Sequence, residues 1–133
     1  MSEFFLPVRV YYEDTDLGGV VYHANYIKFF ERARTEMLRT LGCELDQLQA
    51  VDGVIFAVRS LQVEYLQSAR FNDALQVSAK LTLIKKASLH FAQTVYRGDD
   101  LLATCNNRIA CLNASTLRPS AIPDHLLRAL LKE

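Results

Sequence analysis

The residue types best suited to chemistry crowd into one short stretch, from Glu13 to Tyr26. Two carboxylates, Asp14 and Asp16, are followed by the pair Gly18 and Gly19, and then by His23 where the hydrophobic spacing turns helical. A helix N-terminus offers unpaired N–H groups and partial positive charge, enough to polarise a carbonyl or hold an oxyanion. Glycines let backbone come close to a ligand. A carboxylate beside an oxyanion donor is what acyl transfer to water requires. Each residue also has a structural reading. Asp14 and Asp16 suit caps of a loop or of the helix start, and pattern alone favours that reading. Gly18 and Gly19 serve equally well as turn residues, and His23 as a satisfied surface or core histidine.

Other chemistries find less support. His90 and His125 form no ligand-spaced pair with His23, so no metal site is expected. The nucleophile-elbow, dinucleotide-binding and P-loop signatures are absent from the sequence. Lys85 and Lys86 read as a solvated strand turn, with contact to a phosphate-bearing ligand as the alternative. Lys plus Arg number 15 and Asp plus Glu 15, so the basic excess of a nucleic-acid binder is missing. Zero net charge is also compatible with association of copies. The N-terminal residues resemble no signal peptide, and no apolar run is long enough for an integral membrane segment. Cys43, Cys105 and Cys111, odd in number and without C-x-x-C spacing, fit free thiols in a reducing compartment. These features predict a cytoplasmic protein.

The elements that must position the stretch are legible from periodicity. Alternation predicts a strand from Phe4 to Tyr12. From Ala24 to Leu41, apolar residues at Tyr26, Ile27, Phe30, Ala33, Met37, Leu38 and Leu41 predict an amphipathic helix, with Phe29 widening its buried face. Arg32 and Glu36 are spaced to pair on its outer side, and Gly42 suits the position just past its end. Leu45 to Val51 suggests a short second helix. Beyond Gly53 the pattern is strand. Val54, Phe56 and Val58 alternate, then Leu61, Val63 and Tyr65 in the opposite phase, so a β-bulge is expected at Arg59–Ser60. Leu75 to Leu83 alternates cleanly, Leu89 to Val95 forms the next strand, and Leu101 to about Asn113 the last. Short connections predict antiparallel pairing of consecutive strands. A helix from Asp124 to Leu131 closes a single domain spanning residues 1–133. The fold class is α+β, a buried helix cradled by a curved antiparallel sheet of about five strands.

The segment Tyr11 to Glu36, with its motif D-x-D-x-x-G-x-V-Y-x-x-N-Y running into a helix, resembles the 4-hydroxybenzoyl-CoA thioesterase family, closest to its Tol–Pal-associated branch. The resemblance covers nearly the whole chain and implies a hot-dog fold, dimerised so that two sheets join, with dimers commonly paired into a homotetramer. It implies hydrolysis of short-chain or aromatic acyl-CoA thioesters without a metal or organic cofactor, coenzyme A being part of the substrate. Asp16 matches the catalytic carboxylate, as nucleophile or general base. Gly19 matches the glycine that packs against the thioester. His23 matches the residue whose backbone N–H polarises the carbonyl, and Asp14 a structural acid. Tyr22 and Asn25 lie at the margin of the site, and Arg59, Lys85 and Lys86 are candidates for the anionic end of coenzyme A. Leu17 and Met37 depart from the closest pattern, where Ala and Trp are common, and Leu17 is positioned to narrow an acyl pocket. A hydratase or dehydratase on the same fold, a non-catalytic binder of acyl-CoA or acyl carrier protein, and a scaffold for membrane-associated partners are the alternatives.

Overall fold

The computed structural model describes residues 2–132. Strand β1 spans Glu3–Arg9, helix α1 His23–Thr40, helix α2 Leu45–Asp52 and strand β2 Val54–Tyr65. Strands β3 (Ala74–Lys85), β4 (Ser88–Arg97) and β5 (Asp100–Asn113) follow, and helix α3 covers Asp124–Leu131. The five strands form one antiparallel sheet, and α1 lies across one face of it. That is the α+β arrangement expected from periodicity.

The core is the contact between α1 and the sheet. Tyr26, Phe29, Phe30, Ala33, Met37 and Leu38 are buried on the helix, facing Leu75, Val77, Ala79 and Leu81 of β3 and Leu89, Phe91 and Val95 of β4. Gly42 takes a φ of +82° just past the helix, the left-handed turn its position called for. On the outer side of α1, Arg39 rather than Arg32 holds Glu36, and it also bonds Glu44 at 2.9 Å. This differs from the expected Arg32–Glu36 pair. Arg39 is the cation that reaches acids on both its own helix and the next loop.

Strand order departs from the expected meander. It runs β1-β3-β4-β5-β2, so β2 pairs with β5 rather than with its successor β3, and β1 takes the place beside β3. Eight residues, 66–73, separate β2 from β3. That span is long enough to carry the chain past the end of the sheet instead of closing a hairpin. The expected bulge between Val58 and Ser60 is present. A second register shift lies between Leu81 and Leu83 and turns Leu83 outward, leaving it 45% exposed. The alternation through Leu83 had suggested an inward side chain; Ile84 packs against the core in its place.

One buried residue breaks the apolar pattern. Gln93 has the inward phase of Leu89, Phe91 and Val95, yet is polar. Its Nε2 donates to the carbonyls of Phe30 and Ser78, both at 3.0 Å. Its Oε1 accepts from Arg34 Nη1 at 3.1 Å and Asn107 Nδ2 at 2.8 Å. One amide thereby fastens α1 to β3 and β5. Burying it is tolerable because both ends are paired.

Candidate active site

The segment between β1 and α1 is folded by its own polar groups. One turn of 3-10 helix, Tyr12–Asp14, follows β1. The Asp14 carboxylate accepts the Tyr11 N–H at 2.8 Å, while the Asp14 carbonyl accepts the Tyr22 N–H and Asn25 Nδ2, both at 2.9 Å. Asp14 therefore ties the loop to the first turn of α1, the structural role expected of it. Asn25, placed at the margin by sequence, is its partner in that tie.

Asp16 opens the next turn. Its N–H donates to the Val20 carbonyl at 2.9 Å, its own carbonyl accepts the Gly19 N–H at 3.0 Å, and its Oδ1 accepts the Gly18 N–H at 2.8 Å. The side chain is exposed, and Oδ1 is committed to the turn while Oδ2 has no hydrogen bond among the described residues. Leu17, at the tip, is fully exposed. Gly19 has a φ of +77°, where a side chain is strained, and a Cβ there would meet nothing within 4 Å. Its requirement in a single chain is conformational. At Gly18 a Cβ would come within 3.2 Å of Asp16 Oδ1, so that glycine protects the carboxylate's position.

Helix α1 begins at His23, one residue earlier than periodicity placed it, with Tyr22 as N-cap in an extended conformation and no side-chain cap. In the first turn the Asn25 N–H reaches the carbonyl of the N-cap Tyr22 at 2.8 Å, while the His23 and Ala24 N–H groups have no backbone acceptor among the described residues and sit at the positive end of an 18-residue helix dipole. Three hydrogen bonds hold this end. Val21 N–H donates to the Ala69 carbonyl at 2.8 Å, and Tyr26 Oη accepts the Ala69 N–H at 2.9 Å. Tyr65 Oη donates to the His23 carbonyl at 2.8 Å, with its ring edge-on to His23 and Tyr26. Burial raises the Tyr65 pKa, the nearby Tyr26 and Cys105 adding to it, so the phenol remains a donor. Sequence reading missed Tyr65 as a site residue. The only signal was its place at the end of an alternating run.

Asp16, Gly19, Tyr22 and His23 are thus brought together by one loop and one helix start, the ring of Tyr22 lying 4.4 Å from that of His23. The other three candidates are not brought there within one chain. Lys85 and Lys86 lie at the far end of β3 from the loop, roughly 36 Å along eleven residues of strand. Arg59 is six residues, roughly 20 Å, from Tyr65 along β2. Within one chain, then, Arg59, Lys85 and Lys86 stand apart from the Asp16 turn. Among the described residues, no three of His, Cys, Asp and Glu gather as a metal site, and no helix is long and apolar enough to cross a membrane.

A family model, the thioesterase-like superfamily, matches residues 10–130. The chain belongs to the thioesterase-like superfamily. Within that superfamily it is 41% identical over 126 residues to the acyl-CoA thioesterase YbgC of Haemophilus influenzae, covering 95% of this chain and 93% of the relative. It is 42% identical to the acyl-CoA thioester hydrolase YbgC of Escherichia coli O6:H1 over 93% of this chain and 92% of that one. A crystal structure of a probable thioesterase from Bartonella henselae superposes with a TM-score of 0.88 at 32% identity, covering 92% of this chain and all of that one. The α1-on-sheet architecture is the hot-dog fold of the superfamily, and the protein is a thioester hydrolase.

Proposed function

We propose that this thioesterase hydrolyses acyl-CoA thioesters, of short-chain or aromatic acids, at the junction of the Asp16 turn and the N-terminus of α1. The observation that carries the reading is the arrangement of Asp16. Its Oδ1 is fixed by the Gly18 N–H while Oδ2 is left without a partner, beside a helix N-terminus held by Tyr65. The thioester carbonyl oxygen takes the His23 N–H, whose partial charge at the helix start stabilises the developing oxyanion. Asp16 Oδ2 attacks the carbonyl carbon, giving a mixed anhydride and expelling coenzyme A thiolate, which takes a proton from solvent; water then cleaves the anhydride to the free acid and restores the carboxylate. In the other route Asp16 removes a proton from the water that attacks the carbonyl carbon, and the thiolate leaves as the tetrahedral intermediate collapses. Protein groups alone supply each step, so the proposal includes no metal or organic cofactor.

The site in one chain is open: Asp16, Leu17, Gly19, Tyr22 and His23 are all exposed. Oxyanion stabilisation needs a site from which water is largely excluded. A second copy of the chain closes it, through the free edge of β2, where Val58, Leu61 and Tyr65 are 47%, 38% and 45% exposed. Joining two sheets at that edge gives the homodimer implied by the family, with homotetramers formed from pairs of dimers. Coenzyme A or acyl carrier protein is the carrier.

Asp16→Asn, assayed by free-thiol release from an acyl-CoA panel, is expected to lose at least about a hundredfold in kcat, the usual contribution of a positioned acid–base group. Asp14→Asn is expected to retain more activity and lose stability instead. Near-normal hydrolysis by Asp16→Asn together with an inactive, folded Asp14→Asn would reverse the assignment.

A further inference from the structure

The face of the sheet turned away from α1 carries a depression of about 490 Å³, where Ser60, Gln62, Thr82, His90, Asn106 and Arg108 line it together with the apolar Leu61 and Phe91 and with Asn107. Its geometry follows from strand register. Ser60 and Arg108 are direct partners across β2 and β5, His90 is the partner of Arg108 across β4, and Gln62 pairs with Asn106 one step along. Because Leu89, Phe91 and Gln93 point under α1, alternation turns His90 to the opposite face.

Three atoms of the residues lining it are anomalous. His90 Nε2, Arg108 Nε and Asn107 Oδ1 are hidden from solvent and have no hydrogen-bond partner among the described residues; Asn107 is the one whose side chain is buried beside Gln93, on the α1 side of the sheet. Native folds leave few such atoms. Here two occur on residues directly opposite each other. Nor does Arg108 make an ion pair among the described residues, and no Asp or Glu lines the depression. Burial first, then Lys85 and Arg108, lowers the His90 pKa, so the ring is neutral near pH 7 and the guanidinium carries the charge. A half-buried guanidinium without a carboxylate calls for an anion. A planar fork flanked by a hydroxyl and two amides offers more donors than a carboxylate can use, and suits the three oxygens of a phosphate.

We propose that this depression is a second binding site, taking the phosphate group of a phosphorylated ligand on Arg108, with Ser60, Gln62, Asn106 and His90 around it. It lies on the opposite face from the Asp16 turn, and Ser60 is five residues, roughly 16 Å, from Tyr65 along β2. The inference does not depend on the thioesterase mechanism. The phosphate has two possible sources, the nucleotide end of a coenzyme A thioester or a separate phosphorylated molecule.

The test uses the full chain. Inorganic phosphate and adenosine 3′,5′-bisphosphate are titrated while the imidazole resonances of His23, His90 and His125 are followed by NMR, His90 being assigned from His90→Gln. A saturable shift of His90 alone, at least tenfold weaker in Arg108→Gln, is expected. Since the wild-type titration stands by itself, a poorly folding variant does not remove the test. Steady-state hydrolysis then separates the sources. If Arg108→Gln raises KM about tenfold for an acyl-CoA but not for the matching acyl-pantetheine, the phosphate is the substrate's own. Unchanged KM for both, with binding still lost, points to a separate ligand. No saturable His90 shift, or equal shifts at all three histidines, overturns the proposal. So does burial of this face between copies, seen as protection of Ser60 and Asn106 amides that dilution to dimers removes.

Discussion

In the proposed mechanism Asp16 performs two tasks with one carboxylate. One oxygen receives the Gly18 N–H and shapes the turn, while the other is unpaired. The structural reading of this residue and the catalytic one therefore describe different oxygens. In the same proposal Tyr65 is a positioning residue, because its hydroxyl holds the His23 carbonyl and with it the first turn of α1, from which the His23 N–H projects. Tyr65→Phe removes that bond and little else, at a cost of about 1 kcal/mol in stability. It is expected to lower kcat several-fold with KM nearly unchanged, since the bond orients a donor used in the transition state. A rise in KM with kcat preserved would instead make Tyr65 a substrate contact. Asn25, bonded to the Asp14 carbonyl, joins loop and helix from the other side.

The elements hold this end of the molecule through the connection between β2 and β3. Val10 N–H bonds the Asp73 carbonyl, and Asn72 N–H the Val10 carbonyl, locking the chain just before the site loop. Asp73 also carries a charge pair, its Oδ2 2.9 Å from Arg97 Nη1 and accepting the Arg70 N–H at 2.9 Å. Burial pushes the Asp73 carboxyl upward, but the Arg70 N–H and the Arg97 guanidinium outweigh it and hold the group below the ordinary aspartate range. A folded pKa below the unfolded value stabilises fully above the unfolded pKa, about 4, and the gain is lost as pH falls through the lower folded value. Wild type is therefore expected to lose stability below about pH 4 more steeply than Asp73→Asn. At pH 7 the substitution is expected to cost about 1–3 kcal/mol, measured by urea denaturation. Equal acid slopes for the two proteins would show that another carboxylate governs acid unfolding.

At the scale of the whole molecule, the order β1-β3-β4-β5-β2 leaves β2 as a twelve-residue edge with apolar side chains exposed. Such an edge is a template for strand pairing unless it is blocked or covered. A second copy covers it and closes the exposed site in the reading proposed above. Leu61→Asp puts a charge at the middle of that edge. By light scattering it is expected to convert the assembly to monomers, and hydrolysis is expected to fall with it, while circular dichroism remains that of a folded protein. Active Leu61→Asp monomers would mean that one chain closes its own site. The largest rearrangement from the sequence expectation belongs to this scale, since β2 left its neighbour in sequence for β5.

The α+β class, the α1 stripe, the bulge at Val58–Ser60 and the place of Asp16 before a helix N-terminus were all determined by the sequence itself. Each rests on local spacing or on backbone needs, which are properties of a few consecutive residues. Spacing alone gave Asp14 and Asp16 the same reading, and the family resemblance told them apart; in the structure the Asp14 carboxylate and carbonyl both serve the loop. Only the tertiary structure decided the strand order, the outward turn of Leu83, the burial of Gln93 and the bond from Tyr65 to His23. Those depend on which distant segments meet: Tyr65 is 42 residues from His23, and Gln93 is 63 from Phe30. A period-two pattern assigns a side chain to a face of a strand. It carries no information about the strand or helix on the other side, which is set by where the chain has room to cross and which polar groups find partners when it does.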